Sequence, residues 1–271
     1  MKKPIFSCVI PVKGPRPFFD EALRSLYAQD MGDDLEIIIQ DGDVEPDKGQ
    51  SDALNKGFKN AKGEWLFWLN ADDVLLAGAL ETVRDFINRV ERVERVDEIA
   101  GDGNFMRRAE RVEWIAGDMV LIDGEGKVIR CQKDRGSYRA YEGKPIRVFG
   151  PASFFRRELF ERVGGFDVSL RYCMDTDLWC RFREVGAWFK KTGSYVWGFR
   201  EHEGSTTAGA KKPGEQSRQN REVAAMHERR GVKMTAGGVR ALRLRRIFDG
   251  SLIKAVFDTM RFKGKNWSHI K

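Results

Sequence analysis

Glu45–Asp73 reads EPDKGQSDALNKGFKNAKGEWLFWLNADD. Its first part, Glu45–Gly57, is dense in polar residues and glycine and opens a short helix over Ser51–Asn60, with Ser51 or Asp52 near the N-cap. Its second part, Glu64–Leu69, is an apolar run that predicts a strand buried on both faces. That strand stops at Asn70-Ala71-Asp72-Asp73, which places two adjacent carboxylates at the end of an apolar segment.

Working outward, Phe6–Val12 and Leu35–Gln40 are further β-rich runs, and Phe19–Ala28 and Leu75–Val90 have helical spacing of apolar residues. Strands and helices alternating at these intervals predict a parallel sheet with right-handed crossovers. Ligands in such sheets bind beyond the carboxyl ends of the strands. The polar strand ends Lys13-Gly14, Asp41-Gly42 and Asn70–Asp73 therefore predict where a site forms. Farther on, Trp114–Ile122 and Lys127–Cys131 read as strands around a hairpin turn, and Gly186–Tyr195 contains another strand. Glu158–Val163, Asp175–Glu184, Gln216–Arg230 and Val239–Phe262 read as helices. Arg89–Arg95 reads as a solvated helix face, and Glu201–Gly214 as a mobile polar loop.

The chain has 271 residues, enough for one large α/β domain or one domain with an appendage. Its net charge of +7 is uneven: residues 201–271 hold 16 Lys+Arg against 7 Asp+Glu, and the remainder holds 32 against 34. A near-neutral body argues against a protein built throughout for nucleic acid, while a basic C-terminal quarter can meet phosphates. Four cysteines without a C-x-x-C pair and only 3 His give no zinc framework. The apolar runs fall far short of the roughly 20 residues of a membrane-spanning helix. A cytoplasmic protein with free thiols is expected.

Two adjacent carboxylates at Asp72 and Asp73 are costly to hold together unless a cation neutralises them. A hard divalent ion shared with a diphosphate fits, and a helix N-cap is the alternative. Lys48, Lys56 and a helix N-terminus can attract an anion, and a solvated loop with an amphipathic helix is the alternative. At Cys173–Trp179 (CMDTDLW), carboxylates two apart do not share a helical face, so Asp175 and Asp177 are expected to play different roles; helix-dipole acids are the alternative. Trp179 and Trp197 could stack on a sugar, although aromatic residues at such spacings usually belong to the core.

Taken together, Glu45–Asp73, Gly150–Arg181 (GPASFFRRELFERVGGFDVSLRYCMDTDLWCR) and Phe199–Thr206 (FREHEGST) resemble, in order, the family 2 glycosyltransferases of bacterial polysaccharide pathways. The resemblance covers residues 5–207. It implies a GT-A (Rossmann-like) α/β fold with a mixed, mainly parallel central sheet flanked by helices, followed by a basic helical extension over 208–271. It also implies a nucleotide-diphosphate sugar donor, a divalent metal (Mn²⁺ or Mg²⁺), a glycan or lipid-linked acceptor, and inversion at the anomeric carbon. The family's Asp-x-Asp motif falls on Asn70-Ala71-Asp72, with Asn in place of the first carboxylate. Metal binding is then expected of Asp72, helped by Asp73 and His202. Pro11, Val12, Lys13 and Asp41 match positions that hold the nucleobase. Asn55, Lys56 and Arg200 match segments facing the diphosphate. Asp175 takes the position of the base, with Asp177 as a secondary candidate. A turn, helix and strand usual in the family after Asp41-Gly42 are missing here.

Beyond the resemblance, Leu252, Ile253, Val256, Phe257 and Met260 form an apolar stripe surrounded by basic residues from Arg243 to Lys265. A basic amphipathic helix can lie on an anionic bilayer, which would make the protein peripheral at the inner face of the plasma membrane; packing on the core is the alternative. A nucleotidyltransferase fits less well, because Val12–Pro17 (VKGPRP) is a poor match to a Gly-rich phosphate loop. Asn70 keeps open a catalytically inactive nucleotide-sugar or glycan-binding module. The tail has no recognisable nucleic-acid reading motif.

Overall fold

The structure, a computed structural model, describes residues 2–100, 111–133, 148–205, 213–229 and 250–270. The first three strands, β1 (Phe6–Val12), β2 (Leu35–Asp41) and β3 (Trp65–Trp68), are parallel, with β1 in the middle. Helices α1 (Phe19–Tyr27) and α2 (Gln50–Asn60) make the connections. After β3 come β4 (Val74–Leu75), α3 (Ala79–Ala100), the hairpin β5 (Trp114–Ile122) and β6 (Val128–Gln132), β7 (Ser153–Arg156), α4 (Arg157–Arg162) and α5 (Met174–Glu184). The chain continues with β8 (Phe189–Arg200), α6 (Pro213–Arg229) and α7 (Ser251–Phe262). The sheet runs β2-β1-β3-β7-β5-β8-β4, with β6 paired to β5. It is mixed: β7 lies antiparallel between β3 and β5, whereas β5 and β8 are again parallel.

Period-two side-chain alternation divides the core between the two faces of this sheet. Leu66, Trp68, Trp114 and Phe155 join Leu54 of α2 and Trp179 of α5 on one face. Trp65, Phe67, Ile115 and Phe154 join Leu26 of α1 and Leu80 of α3 on the other. The first face is rich in aromatic rings: Trp114 stacks on Trp179 at 4.8 Å and 17°, and Trp68 lies nearly parallel to Trp179 at 6.1 Å. Trp179 is therefore core and no sugar platform. A third, smaller cluster joins Val120, Val128 and Cys131 to Phe262 of α7 and Ile270. Met226 of α6 belongs to the first cluster, so both helices of the expected extension pack on the body.

Several expectations change. Val74-Leu75 pairs with β8 instead of opening a helix, so Asn70–Asp73 is a turn between strands and not a helix N-cap. In α2 the N-cap is Gly49, and Asp52 in the first turn accepts the Lys48 N–H at 3.0 Å. The strand expected to end at Tyr195 runs on to Arg200, because Val196–Phe199 continue its pairing with β5. The run Arg89–Arg95 is not wholly solvated, since Glu91 pairs at 2.5 Å with the buried Arg156. The last helix starts at Ser251, after Gly250 at a left-handed φ of 71°. Residues 230–249, including Arg243, and most of the expected loop after Ser205 lie outside the described residues. Among the described residues, no helix is long and apolar enough to cross a membrane.

Trp179 contacts both Trp68 and Trp114 and is fully buried. Trp179→Ala is expected to remove about 3–5 kcal/mol of stability, read as a lower urea midpoint, with Trp179→Phe losing less.

Candidate active site

A cleft of about 860 Å³ opens beyond the carboxyl ends of β1 and β3. Pro11, Val12 and Lys13 line it at the end of β1, and Asn70, Ala71 and Asp72 at the end of β3. Asp175, in the first turn of α5, and His202, just past β8, complete the set of sequence-predicted residues that meet there.

Asp72 and His202 face one another, with Oδ2 and Nε2 2.9 Å apart and both side chains partly exposed. Phe18 packs edge-on against the His202 ring at 5.0 Å and limits its orientation. One carboxylate and one imidazole suit Mn²⁺ as partial ligands, with substrate phosphates supplying the rest. Among the described residues no group of three or more His, Cys, Asp or Glu side chains could hold a metal alone. The residues thus fit an ion held jointly with a diphosphate.

Asp73 does not take part as expected. It is fully buried, accepting the Arg200 N–H at 2.9 Å and the Asn70 Nδ2–H at 2.8 Å. Burial, and then the neighbouring Asp72, push its carboxyl well above the usual aspartate range. It sets the loop and leaves the ligand position to Asp72. Asn70 also accepts from Gln50 Nε2 at 2.8 Å, so this side chain ties the turn to α2 while lining the cleft.

Arg200 is the second correction. Its side chain is completely buried and lies outside the cleft lining. Its Nε donates to Asp72 O at 2.9 Å, its Nη1 to Asp123 O and Gly124 O, and its Nη2 to Glu21 at 2.6 Å. It holds the loop that carries Asp72 and cannot reach a diphosphate.

Asn55 and Lys56 are also placed elsewhere. Asn55 donates to Phe166 O at 2.9 Å and accepts from Phe166 N at 2.8 Å, pinning the turn formed by Gly164 and Gly165 at φ 80° and 75°. Lys56 donates to Pro46 O and pairs with Glu45 and Asp52 on the outer side of α2. Asp177 is buried and bound at 2.9 Å by Arg181 Nε, while Arg181 Nη1 bonds Val163 O and Gly165 O. Asp177 thus latches the same turn and is not positioned for catalysis.

Asp41 sits at the cleft edge behind Arg16, paired to it at 2.8 Å; this bond holds its carboxyl below the usual range. Arg16, rather than Asp41, lines the cleft.

Asp175 has the surroundings of a base. Oδ1 accepts from Thr176 N at 2.6 Å and Thr176 Oγ1 at 3.3 Å, which fixes the carboxylate plane. A Cβ added at Gly150 would lie 3.2 Å from Oδ2 and 2.7 Å from Trp68, so only glycine allows this close approach. Burial raises the pKa of Asp175, which makes its carboxylate a better proton acceptor.

Residues that sequence reasoning missed complete the walls. Arg16 lies in the Pro15-Arg16-Pro17 loop, whose only motif-like signal is its position after β1. Gln216 and Gln219 come from α6. Glu222 of the same helix accepts the backbone N–H groups of Arg171 and Tyr172, which also line the cleft.

A mixed α/β sheet with a carboxylate–imidazole pair beyond its strand ends defines a protein of the GT-A class. Comparison with solved structures supports the fold. S. aureus TarS in complex with UDP-GlcNAc superposes with a TM-score of 0.52 at 15% identity, over 75% of this chain and 60% of that one. A Pyrobaculum calidifontis mannosyltransferase in complex with GDP-Man and Mn²⁺ gives 0.51 at 16% identity, over 89% and 68%. The profile of Glycosyl transferase family 2 matches residues 44–164. An uncharacterized glycosyltransferase of Rickettsia prowazekii is 28% identical over 68% of this chain and 60% of its own length. A PGL/p-HBAD biosynthesis glycosyltransferase of Mycobacterium bovis is 27% identical over 65% of this chain and 69% of its own. The chain is similar to family 2 glycosyltransferases over the central segment 44–164, and it spans about 60% of the length of the Rickettsia relative.

Lysine cannot reproduce the fork of bonds made by the buried Arg200. Arg200→Met, which removes the charge opposite Glu21, is expected to destabilise the protein by about 3–5 kcal/mol, measured by urea unfolding, with Arg200→Lys losing less.

Proposed function

We propose that this protein transfers a sugar from a nucleotide-diphosphate donor to a glycan or lipid-linked hydroxyl, with inversion at the anomeric carbon. One observation carries the reading: a single cleft holds the Asp72–His202 pair and, separately, a half-buried carboxylate at Asp175 with a raised pKa. Asp72 and His202 would hold a divalent ion together with the donor diphosphate, and that ion supplies positive charge to the leaving group. The Mn²⁺ and nucleotide sugars named for the two solved relatives support the same assignment of ligands.

The chain's own residues do the rest. Pro11, Val12, Lys13 and Arg16 line the end of the cleft assigned to the nucleotide. The acceptor hydroxyl oxygen attacks the anomeric carbon while Asp175 takes its proton, and the nucleoside diphosphate leaves with the electron pair of the broken C–O bond. Lys13 and Arg16, paired with Asp47 and Asp41, place N–H donors on the same cleft wall as the departing nucleotide. The work of such a transferase in polysaccharide building, on the inner side of the membrane, belongs to the same proposal.

Asp175→Asn removes the proton acceptor but keeps the shape. It is expected to lower kcat by about 10²–10⁴-fold while donor binding, followed by thermal shift, is retained. Wild-type turnover by this variant would sink the base assignment. A variant that binds donor while wild-type protein shows no transfer to any acceptor would favour a binding module.

Because Asp175 must be ionised to act, kcat should fall as pH drops through its raised pKa. The acid limb is thus expected above the ordinary aspartate value of about 3.9. Asp72→Asn and His202→Ala should each weaken Mn²⁺ binding in the presence of nucleoside diphosphate, by about 10-fold or more, measured by calorimetry.

A further inference from the structure

Helix α7 presents four large apolar side chains to solvent: Ile253, Val256, Phe257 and Met260 are 64%, 53%, 67% and 77% exposed. Their spacing of three, four and seven residues puts them on one stripe. The opposite side is committed to the body. Ala255, Asp258 and Phe262 are buried, Thr259 Oγ1 accepts from Cys131 N at 3.0 Å, and Asp258 accepts from Tyr195 Oη at 2.7 Å. Just beyond the helix, Gly264 N bonds Val128 O and Val128 N bonds Lys265 O. With these anchors the helix cannot roll its apolar stripe inward.

The charge around the stripe selects the occupant. Within Gly250–Ile270 the sole acid, Asp258, is buried beneath the helix and pairs with Lys254 at 3.3 Å, which leaves Arg261, Lys263 and Lys265 as the excess of basic side chains. Two copies meeting through this face would bring like charges together. An anionic surface with an apolar interior satisfies both features at once.

We propose that the outward face of α7 docks on a lipid bilayer bearing anionic headgroups, with Phe257 and Met260 entering the headgroup boundary and Lys263 and Lys265 meeting phosphates. The docked segment connects directly to the cleft. Trp267 Nε1 donates to Glu21 at 2.6 Å, and Glu21 pairs with Arg200, which holds the Asp72 loop. Binding needs neither donor nor acceptor, so its failure is separable from failure of the transfer reading.

The test is sedimentation of the full chain with vesicles of phosphatidylcholine containing about one third phosphatidylglycerol, beside phosphatidylcholine alone. The wild-type protein should pellet with the anionic vesicles and much less with the neutral ones, and added salt should weaken binding. Phe257→Glu combined with Met260→Glu should reduce binding by about 10-fold or more at an unchanged thermal midpoint, since both side chains are exposed. Lys263→Glu with Lys265→Glu should reduce it as well. Failure of the wild type to bind anionic vesicles would overturn the proposal. So would equal binding by the apolar double variant, or a lipid-free dimer that this variant abolishes.

Discussion

Arg200 is fully buried, so its guanidinium has no water to bond, and its N–H groups need protein acceptors. Those acceptors come from distant parts of the chain: Glu21 at the start of α1, the Asp72 carbonyl after β3, and the Asp123 and Gly124 carbonyls in the β5–β6 turn. Its own backbone N–H closes the arrangement on Asp73. Phe18 stacks over the guanidinium at 4.5 Å and also packs against His202. The position of the Asp72–His202 pair therefore depends on one cation that touches neither donor nor acceptor. This explains why a partly exposed carboxylate–imidazole pair can sit on a turn without being loose.

The same logic separates each pair of neighbouring acids. Asp72 and Asp73 are adjacent, yet one faces the cleft and the other is sealed beneath it. Asp175 and Asp177 are two apart on α5 and so point about 200° around the helix, one toward Gly150 and the cleft, the other toward Arg181 and the Gly164-Gly165 turn. In both pairs the more deeply buried acid fixes backbone for the more accessible one. A motif containing two carboxylates thus encodes one chemical group and one brace.

How much of this can be read from the chain follows from what kind of signal each part leaves. Trp114–Ile122 is apolar apart from Gly117 and the buried Asp118, and its strand bounds are found as expected. The strands β1, β2 and β3 and their polar ends are visible for the same reason, and they locate the cleft. The extension of β8 to Arg200 is harder to see, because Gly198 interrupts a β-like pattern; there the neighbouring Val74 side chain would meet an added Cβ at 2.6 Å. The motifs of the resemblance point to Asp72, Asp175 and His202, which the structure gathers at one cleft. They misassigned Asn55 and Arg200, whose role is set by partners 111 and 128 residues away. No local period records such pairings. Gln216 and Gln219 escaped notice because a helix with so few apolar residues reads as surface, and only its docking through Met226 and Glu222 turns that surface toward the cleft.

The uneven charge of the chain now has a structural explanation in two parts. In the body, basic residues are largely neutralised by acids that they hold in place, as in Arg16–Asp41, Arg156–Glu91, Arg181–Asp177 and Arg200–Glu21. Such pairs add little net field, and even the cleft-lining Lys13 and Arg16 are matched by Asp47 and Asp41. Around α7 the balance is different: the one acid is turned inward and takes Lys254, and Arg261, Lys263 and Lys265 remain in excess beside the apolar stripe. An excess of cations confined to a surface that also exposes large apolar side chains is poorly matched to water alone. It is equally poorly matched to a second identical surface. The docking face and the cleft are linked through Trp267, Glu21 and Arg200, so the buried guanidinium that shapes the site also ties it to a surface where an excess of cations borders exposed apolar side chains.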